Sequence, residues 1–376
     1  MARWRYSFGM SSEEKPVPSL RPRPVVDRLP RYAAGKPASA VDGLDAFKLA
    51  SNENPLPPLP EVLAAIAEQA AINRYPDSLA TPLREKLGEY LGVPADDVVT
   101  GAGSLGALVQ ILSAFAGQND DGRPDEVIYA WRSFEAYPIC VQTTGAAPVP
   151  VPVLGDGRHD LDAMIAAITD QTKVIILCTP NNPTGPALTR AEVEGFLARV
   201  PSHILLVLDE AYTEFVRDPE TVNGIDLYRN YPNVVVLRTL SKAHGLANLR
   251  VGYSVSQPHI TESLRLVATP FAVSTLAQDA AVVSLENIDK VLARVEELVQ
   301  ERNRVVAALK EQGWDFPETQ GNFVWLPLGE RSPEFAAAAD SQALSVRAFG
   351  TEGVRVSIGE VEANTRFLEI AKEFAG

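Results

Sequence analysis

Apolar residues follow two alternating patterns from about residue 61 onwards. Short runs of Val, Ile and Leu, as in "KVIILCTP" and "HILLVLDEAY", predict strands that are buried on both faces. Stretches such as "SLGALVQILSAFAG" and "RAEVEGFLARV" lie between such runs and have the apolar spacing of helices. This alternation predicts an α/β fold with a mainly parallel sheet that helices cover on both sides.

The remaining elements of this region follow the same rule. Strands are predicted at "DVVTGAG", "DEVIYA" and "NVVVLRTL", an extended segment at "APVPVPV", and helices at "EVLAAIAEQAA", "FEAYPICVQTTG" and "LDAMIAAI". No internal repeat stands out in the sequence. These elements agree with the mainly parallel sheet covered by helices on both faces.

The two ends of the chain have different patterns. Residues 11–60 are rich in proline and predict an extended arm. After about residue 275 come a long charged helix, the strands "NFVWLPL" and "GVRVSIG", and a closing helix. We therefore predict an arm over residues 1–44 that packs on a small α+β domain (273–376), with a large domain (45–272) between them. Met1 and Met10 leave open whether residues 1–9 are an extension.

Composition narrows the classes of function. The 376 residues carry a formal net charge of −14, which disfavours binding to nucleic acid or to an anionic membrane surface. No stretch resembles a membrane span or a signal peptide, so a cytoplasmic location is predicted. The two cysteines and four histidines form no pair with metal-ligand spacing, so no metal site is predicted.

Polar residues cluster where the predicted strands end. "TGAGS", "CTPNNPTG", "LDEAY" and "TLSK" each follow an apolar run, and ligands of open parallel sheets gather at the carboxyl ends of strands. Asp209 and Lys242 are the charged residues at two of these ends, where burial is costly unless a ligand uses them. A partly desolvated lysine has a lowered pKa and can act as a nucleophilic amine.

The first of these strand ends opens a helix through a glycine-rich turn. The amides of Gly103, Ser104 and Leu105 lie at the helix N-terminus, which suits a phosphate, although an ordinary turn is the alternative. Arg250 can place two donors on the same anion. The turn is neither GxGxxG nor GxxxxGK[ST], so a nucleotide is poorly supported.

Together these residues match the needs of pyridoxal phosphate. This cofactor requires a lysine for its aldehyde, a carboxylate for its ring nitrogen, donors for its ring oxygen, an aromatic face and an anion cradle. The matching residues are Lys242, Asp209, Asn182 with Tyr212, Phe134, and the amides of Gly103, Ser104 and Leu105 with Ser241 and Arg250.

The motifs "NNPTG", "DEAY" and "LSKA" resemble those of the fold-type I aminotransferases, in particular the histidinol-phosphate aminotransferase group. The resemblance implies a seven-stranded, mostly parallel sheet and a homodimer with shared active sites. It implies catalytic roles for Lys242, Asp209 and Tyr212, and cofactor contacts that add Thr239 and, from the neighbouring subunit, Tyr75. It implies substrate contacts by Arg355, Arg347, Tyr32 and Asn52.

Within this group, "GAGSLGAL", "WRSFEAYP" and "GNFVWLPLG" are most similar to the aromatic-amino-acid (phenylalanine) aminotransferases of actinobacteria. The implied reaction moves the amino group of phenylalanine or tyrosine to 2-oxoglutarate. Histidinol phosphate is the alternative substrate, and a decarboxylase or a non-catalytic sensor is a more distant alternative. His244 and Asn248 depart from the family pattern beside Lys242, and His244 suits a supporting hydrogen bond better than a catalytic role.

Overall fold

A seven-stranded sheet lies at the centre of the larger part of the chain. The computed structural model describes residues 22–69, 72–118 and 121–375. The strands of this range are β1 (Phe47–Lys48), β2 (Val98–Ala102), β3 (Glu126–Trp131), β4 (Ala147–Pro152), β5 (Thr172–Cys178), β6 (Leu205–Asp209), β7 (Val234–Thr239), β8 (Val251–Val255), β9 (Phe323–Leu326), β10 (Leu344–Ser345), β11 (Arg347–Phe349) and β12 (Gly353–Ser357).

The order in the central sheet is β2-β8-β7-β6-β5-β3-β4. Strands β3 to β7 pair in parallel, whereas β8 runs antiparallel to both of its neighbours. The predicted seven-stranded, mostly parallel sheet is therefore confirmed. The apolar pattern identified five of its strands and an extended segment at β4, and it missed β8, whose short "VGYSV" sequence carries a glycine.

The sheet is buried on both faces, as its continuous apolar runs predict. In β5, Ile175 and Leu177 belong to one hydrophobic core, and Val174 and Ile176 belong to the other. Successive side chains of a strand point to opposite faces, so one apolar run supplies both cores. Apolar side chains of the helices complete both cores.

The helices connect and cover these strands. They are α1 (Pro60–Glu68), α2 (Thr81–Leu91), α3 (Gly103–Phe115), α4 (Tyr137–Thr144), α5 (Leu161–Ala166), α6 (Arg190–Leu197), α7 (Gly224–Asn230), α8 (Pro258–Val267), α9 (Thr275–Glu286), α10 (Ile288–Glu311), α11 (Ser332–Ser341) and α12 (Val361–Phe374). Helix α6 begins with a capping box, in which Thr189 and Glu192 exchange hydrogen bonds with the backbone. Helices α2, α7, α8, α9 and α11 were not predicted. None of the helices in the described ranges is long and apolar enough to cross a membrane.

Helix α4 starts later than its apolar pattern predicts. The pattern places residues from 134 onwards in the helix, whereas the helix begins at Tyr137 with a proline in its first turn. The residues between β3 and α4 therefore form a loop at the carboxyl edge of the sheet. This loop carries Phe134 and Glu135 to the cavity described below.

A second, smaller sheet has the antiparallel order β11-β12-β9. A separate core packs behind it, including Val324, Phe335, Val356 and Phe367. Helix α10 bridges the cores, because Val295 lies in the core of the large sheet and the helix's later residues in the small one. The domain boundaries at 44/45 and 272/273 stay predictions.

The described part of the predicted arm lies against the C-terminal module. The Ser39 hydroxyl donates a 2.7 Å hydrogen bond to Asp340, and the Ser345 hydroxyl donates one of 2.5 Å to the Lys36 carbonyl. Strand β1 adds a parallel pairing with β10. Residues 1–21 of the arm, including the question of residues 1–9, lie outside the described residues.

Candidate active site

The carboxyl ends of β5, β6 and β7 meet the start of α3 around a cavity of about 350 Å³. Parallel strands place their carboxyl ends at one edge of the sheet, which gathers residues that lie far apart in sequence. The residues predicted from sequence that line this cavity are Tyr32, Ser104, Leu105, Phe134, Asn182, Asp209, Tyr212, Thr239, Ser241, Lys242, Arg250, Arg347 and Arg355. Gly103, Asn52 and Tyr75 are predicted residues outside the lining.

Lys242 is the third residue after the end of β7 and is half-buried. Its Nζ atom donates a 3.2 Å hydrogen bond to the Ser51 carbonyl, and Asn54 holds the backbone carbonyl of the next residue, Ala243, at 3.1 Å. Burial, and then the nearby positive charge of Arg355, lower the pKa of Lys242 to about 7. Much of the amine is therefore neutral near pH 7 and able to act as a nucleophile or a base.

Asp209 is buried at the end of β6. Its Oδ2 atom accepts a 2.7 Å hydrogen bond from the Tyr137 hydroxyl, while Oδ1 has no partner among the residues that the structure describes. Burial raises the pKa of Asp209 to about 6, and the bond from Tyr137 partly offsets this rise. The unpartnered oxygen is an acceptor suited to a protonated ring nitrogen in the cavity.

An anion cradle lies where α3 begins. Gly103 has a φ of +72°, and a Cβ atom there would lie 2.3 Å from Nη2 of Arg250, so the missing side chain lets the guanidinium lie over the helix start. The Thr239 hydroxyl donates a 2.9 Å hydrogen bond to Ser241 Oγ beside it. The amides of Ser104 and Leu105, these hydroxyls and Arg250 suit a phosphate.

Tyr212 is buried beside the lysine. Its ring centroid lies 5.8 Å from Lys242 Nζ, and it packs edge-on against Phe323 with 5.1 Å between ring centroids. Its hydroxyl accepts a 3.0 Å hydrogen bond from Asn52 Nδ2, and Ser357 donates a 3.0 Å bond to the Oδ1 atom of Asn52. Asn52 does not line the cavity and positions Tyr212 through this hydrogen bond. The predicted contact of Asn52 with the substrate stays a prediction.

Arg355 of β12 also lines the cavity. It is buried and donates hydrogen bonds of 2.5 Å to Asn182 Oδ1 and 2.7 Å to the Ala50 carbonyl. Its Nε atom has no partner among the described residues. Burial lowers the pKa of Arg355, and Arg347 adds to this effect. Such a guanidinium, held by neutral groups, is suited to pair with a carboxylate.

Aromatic rings line the space between these charged groups. Phe134 lies edge-on to Tyr32, with 6.4 Å between centroids, and edge-on to Tyr137, with 5.6 Å between centroids. Tyr32 comes from the arm and is 55% exposed, so it lies at the mouth of the cavity. Phe349, next to Arg347, completes this apolar wall.

Tyr75 lies apart from the cavity. Its side chain is 83% exposed and stacks on Phe271 with 4.7 Å between ring centroids. The two rings line a separate depression. Within one chain, the structure therefore does not bring Tyr75 to the cradle, and its predicted contact requires a neighbouring subunit.

The two departures from the family pattern have different positions. His244 is buried and its Nδ1 atom lies 2.7 Å from the Ser284 hydroxyl of α9. Burial lowers the pKa of His244 to about 4, so the ring is neutral near pH 7. Asn248 is exposed. Neither residue lines the cavity, and the contact of His244 agrees with the supporting hydrogen bond expected of it.

Sequence reasoning missed several residues that shape the site. Tyr137 could have been found from its position one helical turn after Phe134, and Asn54 from its place beside Pro55 in a predicted loop. Ser51 contributes only a backbone carbonyl, which leaves no signal in the side chains. Glu135 pairs with Arg347 across a sequence separation of 212 residues, and nothing in the sequence indicates that pairing.

The described residues contain no group of three or more His, Cys, Asp and Glu side chains that could hold a metal ion. The chemistry of the cavity instead consists of one amine of lowered pKa, one carboxylate with an open oxygen, an anion cradle and an arginine. This set fits a ligand with an aldehyde, a protonated ring nitrogen and a phosphate.

Comparisons with known proteins place this site in context. The family model described as aminotransferase class I and II matches residues 45–370. The chain is 54% identical over 358 residues to the aromatic amino acid aminotransferase of Streptomyces avermitilis, covering 95% of this chain and 98% of that protein. It is 50% identical to the protein of the same name from Thermobifida fusca, covering 96% of this chain and 99% of the other.

Solved structures share the fold. The histidinol-phosphate aminotransferase of Sinorhizobium meliloti in complex with pyridoxal-5′-phosphate aligns with a TM-score of 0.81 at 24% identity, covering 94% of this chain and 98% of that one. A single mutant of Thermus thermophilus aspartate aminotransferase aligns with a TM-score of 0.77 at 22% identity, covering 88% and 92%. At these identities the likeness concerns the fold.

Proposed function

The chain belongs to the class I and II aminotransferases, and we propose that it transfers the amino group of phenylalanine or tyrosine to 2-oxoglutarate, with pyridoxal phosphate as its cofactor. The observation that carries this proposal is the convergence of Lys242, Asp209 and the cradle at Gly103 on one cavity with aromatic walls. The names of relatives at 47–54% identity support an aromatic substrate.

The residues of the cavity fit the cofactor group by group. The cradle and Arg250 would hold its phosphate, Phe134 would face its ring, and Asn182 with Tyr212 would contact its ring hydroxyl. The unpartnered Oδ1 of Asp209 would accept a hydrogen bond from its protonated ring nitrogen. When bound, pyridoxal phosphate supplies an aldehyde for the amino group and an electron sink for the electrons released at the substrate's Cα.

Lys242 is proposed to move the proton. With a pKa of about 7, its Nζ atom can take the proton from the substrate's Cα as a neutral amine. It would hold this proton as an ammonium group and donate it again within the cavity. The carbonyl of Ser51 accepts a hydrogen bond from this amine at 3.2 Å and keeps it at the cavity. The hydrogen bond from Asn54 to the backbone carbonyl of Ala243 fixes the turn that carries the lysine. Asp209, as an anion, stabilises positive charge on the ring and favours release of that proton.

Arg355 is proposed to orient the substrate. Its guanidinium would bind the α-carboxylate, which fixes the Cα atom with respect to Lys242. The edges of Tyr32 and Phe134 and the ring of Phe349 would contact the aromatic side chain. Their apolar surface suits a benzene or phenol ring and excludes water from it.

We also propose a homodimer with shared active sites. Supporting this, Tyr75 and Phe271 form a stacked, exposed aromatic pair on one chain, with side chains 83% and 43% exposed. Exposed aromatic clusters of this kind are typical of interfaces between proteins. A second copy would bury the pair and bring Tyr75 to the phosphate cradle.

The test is a direct comparison of amino donors. Phenylalanine, tyrosine and histidinol phosphate are assayed with 2-oxoglutarate and the purified holoenzyme. Phenylalanine or tyrosine should be the preferred donor by kcat/KM. A strong preference for histidinol phosphate would favour the alternative substrate, and carbon dioxide release without a keto acid would replace the proposed reaction with decarboxylation.

A further inference from the structure

Three guanidinium groups surround the ring of Phe349 at the substrate end of the cavity. The Cζ atoms of Arg132, Arg347 and Arg355 lie 5.6, 5.2 and 5.7 Å from its ring centroid. Three cations around one aromatic ring repel one another unless carboxylates compensate them. The charge that a substrate meets therefore depends on which of the three is already paired.

Two of these arginines have carboxylate partners. Arg347 donates a 2.7 Å hydrogen bond to Glu135, and Arg132 donates one of 3.1 Å to Glu352. Within the described residues, Arg355 has no such partner and bonds only to neutral oxygens. Of these three arginines, Arg355 is thus the one without a carboxylate hydrogen-bond partner among the described residues.

The pair of Glu135 and Arg347 lies inside the site. Both residues line the cavity, and their side chains are only 25% and 16% exposed. The pair of Arg132 and Glu352 does not line the cavity, and Glu352 is 48% exposed. Because water screens the first pair less, breaking it costs more than breaking an ordinary surface ion pair.

Arg347 and Arg355 are direct neighbours across β11 and β12. Residues opposite each other on two antiparallel strands have Cβ atoms about 5 Å apart. The two guanidinium groups are therefore close enough to bind the same anion. A phosphate monoester, with a charge of about −1.5 to −2 at pH 7, would benefit from both forks. A substrate carboxylate carries one charge and needs only the fork of Arg355.

We propose that Glu135 is a specificity-determining residue, which occupies Arg347 and so disfavours donors that carry a phosphate in place of the α-carboxylate. The inference rests on the proposed function, because it assigns the α-carboxylate to Arg355. A phosphate-bearing donor would have to displace Glu135 from Arg347 and would then lie beside an unpaired carboxylate. That like-charge contact disfavours histidinol phosphate without affecting phenylalanine.

The test measures donor preference in the donor half-reaction. Holoenzyme is mixed with phenylalanine or histidinol phosphate without a keto acid, and the change in cofactor absorbance gives the rate constant divided by the apparent dissociation constant. Omitting the acceptor separates this preference from any effect on 2-oxoglutarate. Glu135→Gln keeps the shape of the side chain and frees Arg347. It should raise the ratio of histidinol phosphate to phenylalanine about tenfold or more.

Two further variants make the result specific. Glu352→Gln frees Arg132, which does not line the cavity, and should leave the ratio as in the wild type. Arg347→Gln leaves Glu135 unpaired in the site and should lower the ratio, because the carboxylate then repels a phosphate more than a carboxylate. The double variant Glu135→Gln/Arg347→Gln should lose the gain seen with Glu135→Gln alone.

The outcomes separate the inference from the proposed function. If the wild type uses phenylalanine but the ratio stays the same in Glu135→Gln and in Arg347→Gln, the inference is overturned and the proposed function stands. A ratio that rises equally in Glu352→Gln also overturns it, because a general loss of negative charge would then explain the gain. A wild type that uses neither phenylalanine nor tyrosine overturns the proposed function instead.

Discussion

The Tyr137 hydroxyl donates a 2.7 Å hydrogen bond to one oxygen of Asp209, whose other oxygen has no partner among the described residues. Both side chains are buried, so the bond is shielded from competing water. It orients the carboxylate and favours its ionised form, opposing the effect of burial. Tyr137 is thus a positioning residue for the group that would contact the cofactor's ring nitrogen.

Removing this bond should make cofactor binding more sensitive to acid. Asp209 has a pKa of about 6, so it is ionised above this pH and gains a proton below it. Tyr137→Phe removes a donor that stabilises the anion, so the midpoint should move to higher pH and the cofactor's affinity at pH 7 should fall about tenfold. Titration of apo-protein with pyridoxal phosphate between pH 5 and 8 measures both.

Tyr129→Phe is the matched control for this variant. Tyr129 is a buried tyrosine whose ring lies edge-on to Tyr137, and it has no described contact with Asp209. It should therefore keep the wild-type midpoint. A Tyr137→Phe protein with that same midpoint would contradict the positioning role.

Lys242→Ala should remove both covalent attachment of the cofactor and proton transfer at Cα. Loss of the general base alone lowers turnover by about 10²–10⁴-fold, so a loss at or beyond the upper end of this range is expected. Visible absorbance after incubation with pyridoxal phosphate and the rate of amino transfer are the two measurements. Circular dichroism shows whether the variant is folded. A folded variant that retains both properties would refute the assignment.

Gly103→Ala should lower the affinity for pyridoxal phosphate, while the protein stays folded. The added Cβ would lie 2.3 Å from Nη2 of Arg250, and the backbone φ of +72° strains any side chain by about 1–2 kcal/mol. Because the arginine's end is flexible, it would move away and leave the phosphate. Affinity for pyridoxal phosphate should fall, whereas Gly195→Ala, with open space around the added Cβ, should leave it unchanged.

His244 should make the folded protein sensitive to acid. Burial depresses its pKa from 6.5 to about 4, so the folded state favours the neutral ring. The stability this provides is complete above pH 6.5 and is lost as the pH falls towards 4, by on the order of 3 kcal/mol. His244→Phe should make that part of the profile less steep, although it also loses the bond to Ser284; His159, whose pKa burial also lowers to about 4, retains the rest of the slope. Thermal unfolding across this pH range tests the slope, and an unchanged slope would assign the acid sensitivity to other groups.

Shared active sites predict complementation between two defective chains. A heterodimer of Lys242→Ala and Tyr75→Ala chains would contain one site with both defects and one with an intact Lys242 and an intact Tyr75. Mixing the two variants by unfolding and refolding should therefore restore activity above that of either homodimer, approaching half of the wild type per heterodimer. No gain on mixing would mean that Tyr75 does not act across the interface.

The sequence determined the elements whose signals are local. Continuous apolar runs identified β5, β6 and β7, because a strand buried on both faces needs no partner information to be recognised. Lys242 and Asp209 were found for a related reason, since a charge directly after such a run is costly without a use. By contrast, β8 was missed because its "VGYSV" pattern is short and depends on its neighbours for burial.

Tertiary structure alone decided how these groups are paired. Tyr137 with Asp209, Asn54 with the turn after Lys242, and Glu135 with Arg347 join residues 72, 189 and 212 positions apart. The pairing of a charged side chain depends on which segments approach it, and local patterns contain no such information. The sequence therefore determined which chemical groups the site holds. The fold decided which of their charges are already compensated, and hence the charge that a substrate meets.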